Sequence, residues 1–249
     1  MKTFLLVALF VGIASCVRLQ KSDNPDLIEG DMMLTPRQKE MFYSKDVARN
    51  GMINEWYRWP NGIVYYKFDR AVPTSLRQLI LRSLGKIEAA TCLRFRQGAN
   101  SQGHHIRVTN IRDSGCWSYV GYIHQIQDLN LGYGCEWEST VIHEFLHAVG
   151  FQHQQCSYER DNYVEVHLEN VEKDQRHNFD KYTRQEVTNY GTRYDYDSIM
   201  HYDAYAFSMN GKPTMVAKIM PAGAKMGEAE KMSPTDIFKI NSMYKCRRA

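Results

Sequence analysis

The sequence predicts an α+β fold in two lobes around a cleft. Three observations lead there. Short apolar alternations between residues 62 and 133 read as strands of a small mixed sheet. Two longer stretches, Thr74–Ala90 and Glu138–Val149, repeat apolar residues every three or four positions, the period of a helix packed on one side. From about Gly150 the chain turns polar and charged, which predicts an irregular second lobe.

Taken in order, a Pro60-Asn61-Gly62 turn opens a strand over Gly62–Phe68. Pro73 and Thr74 start a helix whose stripe is Leu76, Leu79, Ile80, Leu84 and Ile87. Leu93-Arg94-Phe95 and His105–Val108 alternate like strands, and Ser118–Ile126 and Leu129–Tyr133 supply two more. One of these borders the cleft, where an extended peptide adds as a further strand. The helix of Glu138–Val149 carries Val141, Ile142, Phe145, Leu146 and Val149 inward. A helix is expected around Val171–Tyr182, loops after it, and a terminal helix over Ile237–Tyr244. Trp56, Trp59, Trp117 and Trp137 read as core or interface aromatics.

The chain opens with Met1-Lys2-Thr3 and the apolar run Phe4–Ala14, which read as a signal peptide over residues 1–16. That run is short for a membrane span and no later stretch is longer, so no membrane partner is expected. Residues 17–49 are polar, with acidic Asp23, Asp26, Glu29 and Asp31, and too few apolar residues for a core of their own. They read as a pro-segment. Val47-Ala48-Arg49-Asn50 offers a basic cut site for a trypsin-like protease, leaving 50–249 as one domain. The formal charge of +3, without a dense Lys/Arg stripe, argues against nucleic acid. There is no internal repeat. Export favours disulfides, and five cysteines follow Cys16: Cys92, Cys116, Cys135, Cys156 and Cys246. Five is odd, so at least one is free or paired outside the chain, and spacing leaves the pairing open.

The most informative segment is His143-Glu144-Phe145-Leu146-His147-Ala148-Val149-Gly150-Phe151-Gln152-His153. His143 and His147, four apart on a helix, leave from the same face and converge on one ion. Glu144 points about 100° away, which suits it to hold and deprotonate a water at the metal rather than to bind the ion itself. Gly150 permits a left-handed turn, so the reversing chain brings His153 to the same point. Three protein ligands and one open position make a catalytic Zn²⁺ site. A chance H-E-x-x-H is the competing reading of the first five residues alone; Gly150 and His153 at their spacing argue against it. His104, His105, His124, His167 and His177 sit in no such pattern and read as surface or satisfied core histidines.

These residues, followed by Arg160-Asp161-Asn162-Tyr163-Val164, resemble the astacin family of zinc metalloendopeptidases, within the metzincin group. Ser198-Ile199-Met200-His201-Tyr202 is similar to that family's Met-turn. Gly115-Cys116-Trp117-Ser118-Tyr119-Val120-Gly121 and Met232–Ile237 with Ile240, Asn241 and Tyr244 are also similar. The resemblance spans Asn50–Cys246. It implies a zincin fold: a mixed, mostly parallel sheet and active-site helix in the first lobe, an irregular second lobe. It implies one zinc ion on His143, His147 and His153, with Glu144 as general base. Met200 is implied as the hydrophobic turn beneath the metal. Tyr202 is implied as a resting fifth ligand that swings away to stabilise the oxyanion. An isolated Met or Tyr is ordinarily core filling; only the composite singles these out. The resemblance further implies Cys92–Cys246 and Cys116–Cys135 disulfides, with Cys156 left over. Leu27-Ile28-Glu29-Gly30-Asp31 resembles the family's pro-segment motif, which implies that Asp31 holds the zinc in the zymogen.

Departures from the pattern are Gln154, where the family carries glutamate to meet the new N-terminus, and Cys156-Ser157, where its usual arginine is absent. Asn50 is the expected N-terminal partner of Gln154. In an otherwise monomeric protein, the leftover Cys156 is expected either to contact another chain or to be oxidised. Lys218 lies where relatives place a basic residue facing the first pocket past the scissile bond, and Arg193 is a second candidate for its rim. An acidic residue after the cut is then expected; a solvated surface lysine is the bland alternative. The function expected is a secreted endopeptidase acting on extended proteins or peptides. A secreted, non-catalytic binding or toxin-like module on the same zinc fold is the alternative, and Gln154 and Cys156 are its support.

Overall fold

The computed structural model describes residues 24–43, 54–183 and 188–246. The expected signal peptide and the expected cut site at Arg49 lie outside these. The elements are strands β1 (Leu27–Ile28) and β2 (Met32–Met33), helix α1 (Pro36–Tyr43), β3 (Ile63–Phe68), α2 (Thr74–Ala90), β4 (Arg94–Gln97), β5 (Ile106–Thr109), β6 (Cys116–Tyr119), β7 (Gln127–Leu131), α3 (Glu138–Ala148), β8 (Val164–Val166), β9 (Met215–Ala217) and α4 (Pro234–Met243).

Seven strands form one sheet in the order β1-β2-β6-β7-β5-β3-β4. The pairs β3–β4, β3–β5, β5–β7 and β2–β6 are parallel, while β6–β7 and β1–β2 are antiparallel. Period-two alternation sorts the faces. Val64, Tyr66, Ile106, Val108, Leu129 and Leu131 are buried in one core with Leu76, Ile80, Leu84 and Ile87 of α2 and Val141, Ile142, Phe145 and Leu146 of α3. Arg107 is exposed on β5 and forks onto its β7 neighbour Asp128 at 2.6 and 2.7 Å. This α+β architecture matches the expected fold class.

Residues 24–43 have no core of their own, in keeping with their polarity, but they bury what they have against the body. Ile28, Met32 and Leu34 pack with Val120, and β2 extends the sheet alongside β6. The strand that accepts an extended segment is therefore β6.

Several expected boundaries and placements need correction; β7, expected over Leu129–Tyr133, runs over Gln127–Leu131. The strand expected over Ser118–Ile126 runs instead over Cys116–Tyr119. It stops because Gly121 turns at φ 72° and lies so close to Tyr57 that a Cβ would meet its carbonyl oxygen at 2.8 Å. The helix expected over Val171–Tyr182 is a 3₁₀ stretch, Lys173–Phe179. Val171, Phe179 and Tyr182 are its only apolar anchors, too widely spaced to hold a packed α-helical stripe. Trp59 and Trp117 are buried as expected, whereas Trp56 and Trp137 are more than half exposed.

The second lobe holds the antiparallel β8–β9 pair and two small clusters, one around Val171, Phe179, Tyr202 and Met215, the other around Val164, Tyr194 and Tyr196. α4 returns to the first lobe, where Ile240 joins the main core. The Cys92–Cys246 disulfide fastens the chain just beyond α4 to the start of β4, and Cys116–Cys135 ties β6 to the loop before α3. No helix of the described residues is long and apolar enough to cross a membrane.

Candidate metal centre

Helix α3 is fixed at its C-terminal end, where backbone carbonyls lack partners inside the helix. The Trp59 indole donates to Ala148 O at 2.8 Å, and the Tyr244 hydroxyl to Val149 O at 2.9 Å. Gly150 then adopts φ 110°, and its N–H closes on His147 O at 2.8 Å. The reversal carries His153 back over the helix face that bears His143 and His147.

The three imidazoles are buried, and their Nε2 atoms face one another: His147 to His143 at 3.1 Å, His143 to His153 at 3.2 Å. Their outer nitrogens decide what this means. His143 Nδ1 donates to Ile199 O at 2.7 Å, and His147 Nδ1 to Phe151 O at 2.7 Å. With the protons on Nδ1, the Nε2 atoms present lone pairs to each other, which repel unless a cation lies between them. Asp31 brings a fully buried carboxylate to the same point. Its Oδ2 is 3.3 Å from His143 Nε2 and 3.2 Å from His153 Nε2, and its Oδ1 is 3.5 Å from His147 Nε2. Asp31 Oδ1 has no hydrogen-bond partner among the described residues. Three imidazole nitrogens and one carboxylate oxygen, all within 4.8 Å of one another, are the donor set and number that tetrahedral Zn²⁺ takes.

Glu144 is buried, and neither carboxylate oxygen has a hydrogen-bond partner among the described residues. Burial, with the Asp31 charge added, pushes its carboxyl well above the usual carboxylate range in the protein's own field.

Met200 is buried in the main core, and its carbonyl accepts from the N–H of Gln154, the neighbour of His153, at 2.9 Å. Its turn is held by Asp236, which accepts from Ser198 Oγ at 2.6 Å and Ile199 N at 3.0 Å. Asp236 also closes the capping box of α4 with Ser233. Ile199 O in turn orients His143. Sequence reading missed Asp236, although its S-x-x-D spacing marked it as a cap. The Tyr202 ring lies 4.5 Å from that of His153, centroid to centroid, but its hydroxyl donates to the carbonyl of Glu29. Glu29 was not singled out as a site residue. Its carboxylate accepts from His153 Nδ1 at 2.7 Å and from the Tyr182 hydroxyl, and its N–H donates to Asn178 Oδ1 at 2.9 Å.

Behind His153 lies a cavity of about 60 Å³, lined in part by Gln152, Gln154, Tyr190 and Lys239. Gln154 accepts from buried Lys239 Nζ at 2.6 Å. Asn50, the expected partner of Gln154, is outside the described residues. Cys156 is fully buried and donates weakly to Asn178 O, 3.4 Å away. That corrects the expectation of a thiol in contact with another chain: the Gln154–Cys156 turn is folded under the backbone of Tyr182, whose N–H bonds Cys156 O at 2.7 Å. Lys218 and Arg193 are exposed, and the Lys218 ammonium donates to Asp161 O at 2.6 Å. His104, His105, His124 and His167 each engage another partner: Tyr122, Gly103 O, Trp56 O and Glu169 respectively.

The sequence pattern of the peptidase family described as Astacin matches residues 51–245. Blastula protease 10 of Paracentrotus lividus is 37% identical over 234 residues, which cover 88% of this chain and 38% of that protein. Zinc metalloproteinase nas-4 of Caenorhabditis elegans is 35% identical over 218 residues, 88% of this chain and 69% of that protein. The chain thus spans less than two fifths of the sea-urchin relative's length. Among solved structures, high choriolytic enzyme 1, a hatching enzyme zinc-protease from Oryzias latipes, superimposes with a TM-score of 0.71 at 31% identity, covering 78% of this chain and 97% of that one. The matched segment contains the helix, the turn and the histidines that build the centre described above, and the chain belongs to the astacin family.

Proposed function

We propose that this chain is a secreted zinc endopeptidase made as a zymogen. The observation that carries the proposal is the convergence of three Nε2 lone pairs and a carboxylate beside Glu144, a buried carboxylate with no partner among the described residues. When bound, the zinc ion supplies Lewis acidity toward the scissile carbonyl and the attacking water. His143, His147 and His153 hold it. Glu144 takes the proton of the attacking water and passes it to the leaving amine. Tyr202, once released from Glu29, offers its phenol to the oxyanion.

The domain plan proposed is residues 1–16 as signal peptide, 17–49 as pro-segment and 50–249 as catalytic domain. In the zymogen, Asp31 fills the position water needs. A trypsin-like protease cutting after Arg49 removes it. The active chain is proposed to be a monomer, and its substrates extended proteins or peptides. Lys218 and Arg193, exposed on the second lobe, are proposed to favour an acidic residue after the cut.

The test is cleavage of a diverse peptide library by protein cut after Arg49, with and without a zinc chelator. Internal cuts that the chelator stops, enriched in Asp or Glu after the cut, are expected. Glu144→Gln is expected to abolish turnover while sparing zinc. Turnover retained in that variant refutes the role of Glu144. No cuts from correctly processed, zinc-loaded protein refutes the peptidase and favours a binding module.

A further inference from the structure

The outer nitrogens of the three imidazoles are not served alike. His143 and His147 donate to carbonyls of the protein body, Ile199 O and Phe151 O. His153 donates to the carboxylate of Glu29, 124 positions earlier in the chain and two residues before Asp31. One of the three candidate ligands is thus oriented by a group that belongs to the pro-segment.

The arrangement is built, not incidental. Glu29 is buried, and every polar group it has is used. Its second carboxylate oxygen accepts from the Tyr182 hydroxyl, its N–H donates to Asn178 and its carbonyl accepts from Tyr202. Its backbone sits at φ 53°, the left-handed region that a glutamate adopts only under constraint. A carboxylate on the outer N–H of an imidazole fixes the tautomer that points a lone pair at the metal, and makes that nitrogen a stronger donor.

Resting on the reading of the site as a zinc centre, we propose that Glu29 is a positioning residue for the metal in the precursor. It completes the support of His153, and together with Asp31 it makes the uncleaved chain the form that captures zinc. The pro-segment then has two tasks, silencing the site and loading it. Both end when it leaves, and the mature chain holds its ion with one carboxylate ligand and one carboxylate support fewer.

Zinc affinity of the uncleaved precursor tests this, read by competition with a chromophoric chelator after the protein has been stripped and shown to be folded by circular dichroism. Loss of a partner to a metal-bound imidazole weakens metal affinity by ~10–100-fold. Glu29→Gln keeps an acceptor but loses the charge and should fall near ~10-fold; Glu29→Ala should approach ~100-fold. Tyr182→Phe, which frees one Glu29 oxygen, should lie between wild type and Glu29→Gln. A folded Glu29→Ala precursor with wild-type zinc affinity overturns the proposal. If the alanine variant does not fold, the near-isosteric glutamine variant decides in the same way. A wild-type precursor that takes up no zinc overturns the metal centre itself, and the role of Glu29 with it.

Discussion

Gly227 is a single position at which the second lobe controls the geometry of Tyr202. A Cβ built there falls 2.2 Å from both Cα and N of Asp203 and 2.4 Å from the carbonyl carbon of Tyr202, and the residue sits at φ 74°. Normal carbon–carbon contact begins near ~3.5 Å, so Gly227→Ala must push that backbone away by about 1.3 Å. Neighbouring backbone has no rotamer to give. The left-handed conformation adds ~1–2 kcal/mol and the overpacking ~1–3 kcal/mol, for a total of roughly 2–5 kcal/mol. In a domain of this size, that lowers Tm by about 5–20 °C. A displacement of this size at Tyr202, the proposed oxyanion group, costs about 100-fold in rate, so kcat of the activated variant should fall about 100-fold even where it remains folded. The control is Gly85→Ala. Gly85 is exposed on α2 with open space around it, and alanine there should stabilise by ~0.5–1 kcal/mol without altering kcat. The assay is thermal unfolding together with chelator-sensitive peptide cleavage. Gly227→Ala melting and cleaving like wild type would refute the reasoning.

The two disulfides should differ in worth, because they close loops with sequence separations of 154 and 19. Loop entropy assigns about 5 kcal/mol to Cys92–Cys246 and about 3 kcal/mol to Cys116–Cys135; denaturant unfolding of the paired serine variants checks the order, and the reverse order contradicts it. Asp236→Asn keeps one acceptor oxygen but turns a donor toward the N–H and O–H groups that Asp236 receives from Ser198, Ile199 and Ser233. A loss of roughly 2–4 kcal/mol is expected, with a lower kcat as the Met200 turn loosens; urea midpoints and turnover report both. Lys239 tests the cavity. Burial holds its ammonium below the ordinary value of 10.5, so the native state binds this proton more weakly than the unfolded state. Stability contributed at this site therefore rises with pH, from the lowered native value up to about 10.5. The advantage of Lys239→Met over wild type, followed by urea unfolding from pH 7 to 10, should shrink with pH. A pH-independent difference would show that the lysine does not carry its charge into the interior.

Sequence legibility followed the locality of the cause. The span of α2, Thr74–Ala90, was readable to the residue because its stripe and its Pro73 boundary are local. The first turn of α4 was missed: the helix begins at Pro234, under the Ser233–Asp236 capping box, three residues before its first apolar residue, Ile237. At the centre, the spacing of His143, His147 and His153 within one short segment made their meeting predictable. The hydrogen bonds that orient them did not arise from spacing. Ile199 reaches His143 across 56 positions and Glu29 reaches His153 across 124. Such partners are decided by how the lobes and residues 24–43 pack against one another. A strand's end is equally hidden when a close approach sets it, as Gly121 against Tyr57 ends β6.

The parallel pairing of β2 with β6 has a colloidal consequence. Sheet edges with unsatisfied N–H and C=O groups recruit other strands, and proteins ordinarily hide or blunt them. Here the edge is dressed by β2 of the same chain, with Ser118 N donating to Asp31 O and Val120 N to Met33 O. If residues 17–49 are cut away as proposed, β6 becomes a bare template four residues long, Cys116–Tyr119, with a disulfide at its first residue. The same surface that holds β2 in the uncleaved chain then becomes the place where two molecules of the proposed mature form, at high concentration, can zip together. Brevity and the Cys116–Cys135 staple limit how far such a zipper runs, so solubility of the mature form and openness of its cleft are set by one short strand.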